Sequence, residues 1–124
     1  MEHEFWEKAK ENFRAAEVLF EQQLYNASAN RSYYAALHAA ITALAEIGID
    51  VERISHEAAQ ANFATELIHK RKKYANHLKS YLIALHAVRN DADYGVASIS
   101  QKVADRQLKK AQEFVEQVRK VIES

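Results

Sequence analysis

The chain has 124 residues, 48% of them hydrophobic, and no net charge, which predicts a single domain spanning residues 1–124. It contains no cysteine, no proline and only two glycines, which excludes disulfides and thiol catalysis and leaves too few turn residues for a sheet protein. We therefore predict an all-α fold. Because no apolar run reaches bilayer length and the first residues do not resemble an export signal, we also predict a cytoplasmic protein without a membrane contact.

Apolar residues spaced by three and four predict the helices of the first half of the chain. A first helix is predicted over residues 4–23 and a second over residues 26–47, followed by Gly48, which suits the left-handed position after a helix. Ser55 is placed to cap a short third helix. That helix is predicted to end in the basic run 70–73, since cations are favourable at the negative end of a helix dipole.

The same periodicity predicts two long helices in the second half. A fourth helix is predicted to begin near Tyr74 and to end at Gly95. Ser98 stands three residues before Gln101, a spacing typical of a capping box, and predicts the start of the last helix. Four long helices and one short helix predict an antiparallel bundle.

The distribution of charge and the spacing of the histidines limit which ligands the chain can be expected to bind. Residues 63–124 carry 12 Lys and Arg against 7 Asp and Glu, so the second half of the chain is basic and can attract phosphate. The six histidines include no two that lie three or four residues apart, and there is no glycine-rich phosphate loop. The sequence therefore predicts no metal site and no cofactor.

Two helix faces carry polar side chains at helical spacing, and they form the candidate site. Their members are Arg31, Tyr34 and His38 on the second helix, opposite its apolar stripe, and His86, Arg89, Asn90 and Asp93 on the fourth. Set against each other within one chain or across a dimer axis, these faces would form a small cleft. A structural interpretation stays open, since an exposed i,i+4 pair such as Arg89 and Asp93 contributes only about 0.2–0.5 kcal/mol and His38 can be a satisfied buried imidazole.

Three segments together resemble the HEPN domain (higher eukaryotes and prokaryotes nucleotide-binding). They are the run Arg31-Ser-Tyr-Tyr-Ala-Ala-Leu-His-Ala-Ala, the pair Ser55-His56 after a glycine-containing loop, and Arg89-Asn-Asp-Ala-Asp-Tyr near the end of the fourth helix. The resemblance implies an all-α bundle that is usually a homodimer. It also implies a frequent genetic pairing with a minimal nucleotidyltransferase as toxin and antitoxin, and many members are metal-independent ribonucleases.

The resemblance departs from the ribonuclease signature at one position. Arg89 and Asn90 match its arginine and following polar residue, but Tyr94 stands where the histidine is expected. An imidazole, with an ordinary pKa near 6.5, can act at neutral pH as the base that takes the proton from a ribose hydroxyl. A phenol is deprotonated in only about one molecule in a thousand at pH 7, so Tyr94 is a poor base that can instead donate a hydrogen bond or stack on a nucleobase.

Three functions remain open from the sequence. We favour a catalytically weak or inactive module that binds a nucleotide or RNA through Arg89, Asn90, Asp93, Arg31, Tyr34 and His38, within a toxin–antitoxin type pair. The first alternative is an endoribonuclease toxin whose catalytic residues are Arg89, Tyr94 and His86, with His86 or else His38 in place of the missing histidine. The second is a structural dimerisation or adaptor module, in which Arg89 is a buried cation that needs a carboxylate partner from Asp91 or Asp93.

Overall fold

The computed structural model describes residues 4–124, and they form five α-helices with no strand among them. The elements are α1 (Glu4–Glu21), α2 (Tyr25–Glu46), α3 (His56–Asn62) with a π-helical continuation (Phe63–Lys70), α4 (His77–Tyr94) and α5 (Gln101–Ile122). The predicted all-α bundle of four long helices and one short helix is confirmed. None of these helices is long and apolar enough to cross a bilayer.

Helix α2 is the centre of the bundle, because α1, α4 and α5 all pack against it. Small side chains line most of its circumference, since six of its alanines are buried, namely Ala29, Ala35, Ala36, Ala39, Ala40 and Ala43. The predicted apolar stripe of α2 is buried, but burial extends beyond it around most of the helix, because three other helices surround α2. Arg31, Tyr34 and His38 are each half-buried and occupy one edge of the helix rather than a full opposite face.

The largest fully buried side chains fill the space between α2 and its neighbours. Tyr33, Phe63 and Phe114 have no measurable exposure, and the Phe63 ring centroid lies 5.1 Å from the ring centroids of both Tyr74 and Phe114. Burial raises the pKa of the Tyr74 phenol well above its usual range. These rings connect α2, the π-helical continuation and α5 into one core.

Two predicted ends of helices are confirmed in the first half of the chain. Gly48 follows α2 with a φ of +89°, in the left-handed region that glycine adopts without strain. Ser55 precedes α3, and its side-chain oxygen accepts a hydrogen bond of 3.0 Å from the Ala58 amide. The π-helical form of Phe63–Lys70 was not predicted, since its apolar pattern is also compatible with an α-helix.

In the second half of the chain, two helices start at other residues than predicted. Ser100, not Ser98, caps α5, and its hydroxyl accepts a hydrogen bond of 3.1 Å from the Val103 amide because only Ser100 directly precedes the helix. Helix α4 begins at His77 rather than near Tyr74, since Lys72 takes a left-handed φ of 53° and the chain turns before α4 starts. Gly95 ends α4 as predicted.

Candidate functional site

The polar faces of α2 and α4 meet within one chain, at Arg89. Its guanidinium Nη2 donates a hydrogen bond of 2.9 Å to the hydroxyl of Tyr34, and Nη1 donates one of 3.2 Å to the side-chain oxygen of Asn90. Its Nε lies 2.9 Å from Asp93 Oδ2, an ion-pair contact whose angle is too bent for a hydrogen bond. Because only 17% of the Arg89 side chain is exposed, these contacts fix the orientation of its cation.

Asp93 is held from both sides. The Asn30 side-chain amide donates to its two carboxylate oxygens, at 3.0 and 3.2 Å, while Arg89 supplies the opposite charge. Asp93 lies in the last turn of α4, where the helix dipole disfavours an anion. The contacts with Arg89 and Asn30 offset this unfavourable position. The other predicted carboxylate partner of Arg89, Asp91, is exposed.

Arg31 is the second cation of the site. Its Nε donates to the Asn30 side-chain oxygen at 2.9 Å and its Nη1 donates to the Asn12 side-chain oxygen at 3.0 Å. The guanidinium carbons of Arg31 and Arg89 lie 5.3 and 5.4 Å from the ring centroid of Tyr34, within cation–π range. We call Arg31, Arg89, Tyr34, Asn30 and Asp93 the two-arginine patch.

His38 adjoins the two-arginine patch as a neutral imidazole. Arg31 donates to the Asn12 oxygen, which fixes that amide so that its nitrogen faces His38 Nδ1 at 3.2 Å, and Nδ1 therefore accepts the hydrogen bond. Burial is the largest of the causes that together lower the pKa of His38 from 6.5 to about 4, and Lys8, His56 and Arg31 contribute to the same shift. His38 is thus uncharged at neutral pH and contributes no cation to the patch.

His86 lies on the α3 side of α4 and stacks on Tyr33, with ring centroids 4.9 Å apart and planes at 13°. The Gln60 amide nitrogen lies 3.1 Å from His86 Nδ1 and donates a hydrogen bond of 3.1 Å to the Tyr33 hydroxyl. Burial raises the pKa of Tyr33 to about 12, although the hydrogen bond from Gln60 opposes the shift. With Nδ1 accepting from Gln60, a neutral His86 carries its proton on Nε2 and presents a donor rather than a base.

Tyr94 and Asn90 are the exposed part of the site. The Tyr94 side chain is 76% exposed, and its ring centroid lies 5.8 Å from the guanidinium carbon of Arg89. A free aromatic face beside an oriented guanidinium can stack on a base while the cation binds the adjacent phosphate.

Three residues that complete this geometry were not predicted from the sequence, namely Asn12, Asn30 and Gln60. His56, which was named only within the family resemblance, has its ring centroid 5.6 Å from that of Tyr34. Asn30 precedes Tyr34 by four residues and so shares its side of α2, which is the one local signal for it. The contribution of Asn12 depends on how α1 packs against α2, and its own sequence context carries no such signal.

One carboxylate–histidine pair has the spacing used in metal-binding bundles, Glu66 and His69. The Glu66 carboxylate is paired with Arg71 at 2.6 Å and with Lys70 at 3.5 Å, and these contacts lower its pKa. Within residues 4–124 no three His, Cys, Asp or Glu side chains form a group that could hold a metal ion.

The bundle and its two-arginine patch define an all-α module with a fixed cationic site between its second and fourth helices. The family model of the HEPN domain matches residues 3–121, so the chain belongs to the HEPN domain family. Membership over nearly the whole chain supports a module related to nucleotides or RNA. A search of curated proteins finds no match.

Proposed function

We propose that this HEPN domain binds a nucleotide or RNA through the two-arginine patch and has weak or no catalytic activity. The observation that carries the proposal is the placement of two guanidiniums against the ring of Tyr34 with one carboxylate, Asp93, beside them. Among the described residues, Arg31 is held by amide oxygens and not by a carboxylate, so the patch keeps a positive charge. An oriented guanidinium suits the paired oxygens of a phosphate.

Tyr94 supports a ligand that has a base as well as a phosphate. Its ring is exposed and lies next to the Arg89 cation. Stacking of one base on an aromatic ring contributes about 1–3 kcal/mol and tolerates different bases. The patch therefore suits a nucleotide unit better than it suits inorganic phosphate alone.

Two features support weak or absent catalysis. Tyr94 occupies the position where the resemblance to the ribonucleases implies a histidine. His86, the nearest substitute along α4, has its Nδ1 in contact with Gln60 and its ring stacked on Tyr33. An imidazole held in this way is a poor candidate for the base that takes a proton from a ribose hydroxyl.

The partners belong to the same proposal and rest on the family resemblance. We propose a cytoplasmic homodimer that pairs with a minimal nucleotidyltransferase as one half of a toxin–antitoxin type system. Light scattering of the purified protein tests the dimer, and co-purification with a nucleotidyltransferase encoded beside it tests the pairing. A monomer at all concentrations would contradict the proposed homodimer. Failure to form a complex after co-expression would contradict the proposed pairing with a nucleotidyltransferase.

RNA binding by matched variants tests the main proposal. Fluorescence anisotropy with a labelled single-stranded RNA compares the wild type with Arg31→Gln and Tyr94→Ala. Arg106→Gln, at an exposed position of α5, supplies the same charge change as Arg31→Gln outside the patch. We expect Tyr94→Ala to weaken binding roughly fivefold or more, the lower limit for one stacked base, and Arg106→Gln to have little effect. Equal affinity of all four proteins would contradict the proposal.

The half-buried position of Arg89 also favours the structural alternative, in which the patch only holds α2 and α4 together. Thermal unfolding, together with the RNA affinities, distinguishes this structural role from RNA binding. A purely structural role predicts that Arg89→Gln lowers the melting temperature while Arg31→Gln and Tyr94→Ala leave RNA affinity unchanged.

Incubation of the wild type and Arg89→Gln with mixed RNA in EDTA tests for catalysis. We expect no Arg89-dependent cleavage. Cleavage by the wild type alone would instead identify a metal-independent ribonuclease, and loss of that cleavage in His86→Ala would assign the replacement base.

A further inference from the structure

A groove of about 430 Å³ lies outside the two-arginine patch, between α3 with its π-helical continuation and α4. Its volume is within the roughly 300–1,000 Å³ that small-molecule sites occupy. Ala61, Ala64 and Ile83 supply an apolar wall, and Gln60 and Thr65 supply polar groups. This combination suits a flat ring with polar edges.

The π-helical continuation contributes part of the groove lining. It places Phe63 and Leu67 in the core while Thr65 and His69 stay exposed along the groove. A π-helical segment is an uncommon backbone form that is frequently found at functional sites.

The charge at the α4 end of the groove suits a phosphate. Lys79 lines the groove, and in the described part of the chain no carboxylate lies within salt-bridge distance of its ammonium group. The basic run 70–73 directly follows the π-helical continuation and precedes α4. Glu57 is the carboxylate among the lining residues, at the opposite wall on α3.

One face of α4 extends from the groove to the residues beside the two-arginine patch. Lys79, Ile83, Asn90 and Tyr94 share one face of this helix, and Ile83 and Tyr94 are 55% and 76% exposed. Lys79 and Arg89 are ten residues apart, which is about 15 Å along the helix axis. A stacked strand rises about 3.4 Å per nucleotide along its axis, so it would need roughly four nucleotides to cover this distance, and an extended strand with unstacked bases needs fewer.

We infer that this groove is a second subsite of the same surface, which takes one unstacked nucleobase of single-stranded RNA with its phosphate at Lys79. The base lies against Ala61 and Ile83. The Thr65 hydroxyl and the Gln60 side-chain oxygen bond to its polar edge, since the Gln60 amide nitrogen already donates to Tyr33 and His86. The inference rests on the proposed function and narrows its ligand from a nucleotide or RNA to a single-stranded RNA that is long enough to reach from Arg89 to Lys79.

Binding as a function of RNA length, with two groove variants, tests the inference. Anisotropy measurements compare labelled RNAs of about two, four and eight nucleotides on the wild type, Ala61→Leu and Lys79→Gln. Ala61→Leu adds bulk at an exposed helix position without charge or an aromatic face, and Lys102→Gln on α5 is the charge control. Circular dichroism melts confirm that each variant is folded.

We expect affinity to rise at least roughly fivefold between two and four nucleotides, and this gain to be lost in Ala61→Leu. Lys79→Gln should lower the slope of log affinity against log salt by about 0.7, the value for one single-strand phosphate contact, while Lys102→Gln should not. RNA binding that depends on Tyr94 and Arg31 but does not change with RNA length, Ala61→Leu or Lys79→Gln would contradict the groove subsite. The proposed role of the two-arginine patch in RNA binding would then still stand. Absence of RNA binding would overturn both, and a change of oligomeric state in Ala61→Leu with unchanged RNA affinity would assign the groove to a protein partner.

Discussion

Acidification should destabilise the protein through His38, and the effect can be isolated with one variant. The folded state lowers the pKa of His38 from 6.5 to about 4. Between these values the unfolded chain binds a proton that the folded chain excludes. The contribution of His38 to stability is therefore complete above pH 6.5 and is lost as the pH falls toward 4.

The size of this effect follows from the same shift. A difference between 6.5 and about 4 corresponds to at most about 3 kcal/mol at 1.36 kcal/mol per pKa unit. His38 is half-buried and not fully enclosed, so solvent screening reduces the expected loss to roughly 1–2 kcal/mol.

Urea unfolding followed by circular dichroism measures this loss at pH values from 7 down to about 4. His38→Gln keeps a side-chain oxygen that can accept from Asn12 but removes the titrating group, so we expect a shallower decline of unfolding free energy. His69→Gln, at an exposed position, should keep the wild-type decline. Identical pH profiles of the wild type and His38→Gln would refute the reasoning, as would an NMR titration that places the pKa of His38 near 6.5.

Two further predictions concern the ends of helices. Ser100→Ala should lower the free energy of unfolding by about 1 kcal/mol, because the Val103 amide loses its hydrogen-bond acceptor. Ser98→Ala should change this free energy little. A urea titration in which Ser98→Ala is the more destabilising variant would contradict the assignment of Ser100 as the cap. Gly95→Ala should disturb the end of α4, because an added Cβ would lie 2.6 Å from the Asp91 carbonyl oxygen, and a melting temperature equal to that of the wild type would show that the backbone yields without cost.

Most of the fold is encoded by local pattern. The helical stripes, Gly48 after α2, Ser55 before α3 and Gly95 after α4 each act within a few residues of their own position. Ser98 was wrongly predicted as the cap of α5 because two serines precede that helix. The spacing of a capping box does not show which of the two directly adjoins the helix.

The site was only partly predictable for a different reason. Helical spacing was enough to group Arg31 with Tyr34 and to place Asp93 beside Arg89, because those pairs lie on single helices. The links between helices depend on tertiary packing, so neither the contact of Asn30 with Asp93 nor that of Asn12 with Arg31 has a sequence signature. The neutral state of His38 likewise depends on its burial beside cations of other elements.

The two arginines differ in a way that bears on their roles. Arg89 is beside Asp93, which neutralises much of its charge, and its contacts with Tyr34 and Asp93 hold α4 against α2. Arg31 is bound by amide oxygens among the described residues and keeps its charge. Loss of Arg89 should therefore act first on the geometry of the patch, whereas loss of Arg31 removes attraction for phosphate with fewer interhelical contacts broken. If the patch binds phosphate as proposed, we therefore expect Arg31 to supply the larger share of the attraction, although the family resemblance rests on Arg89.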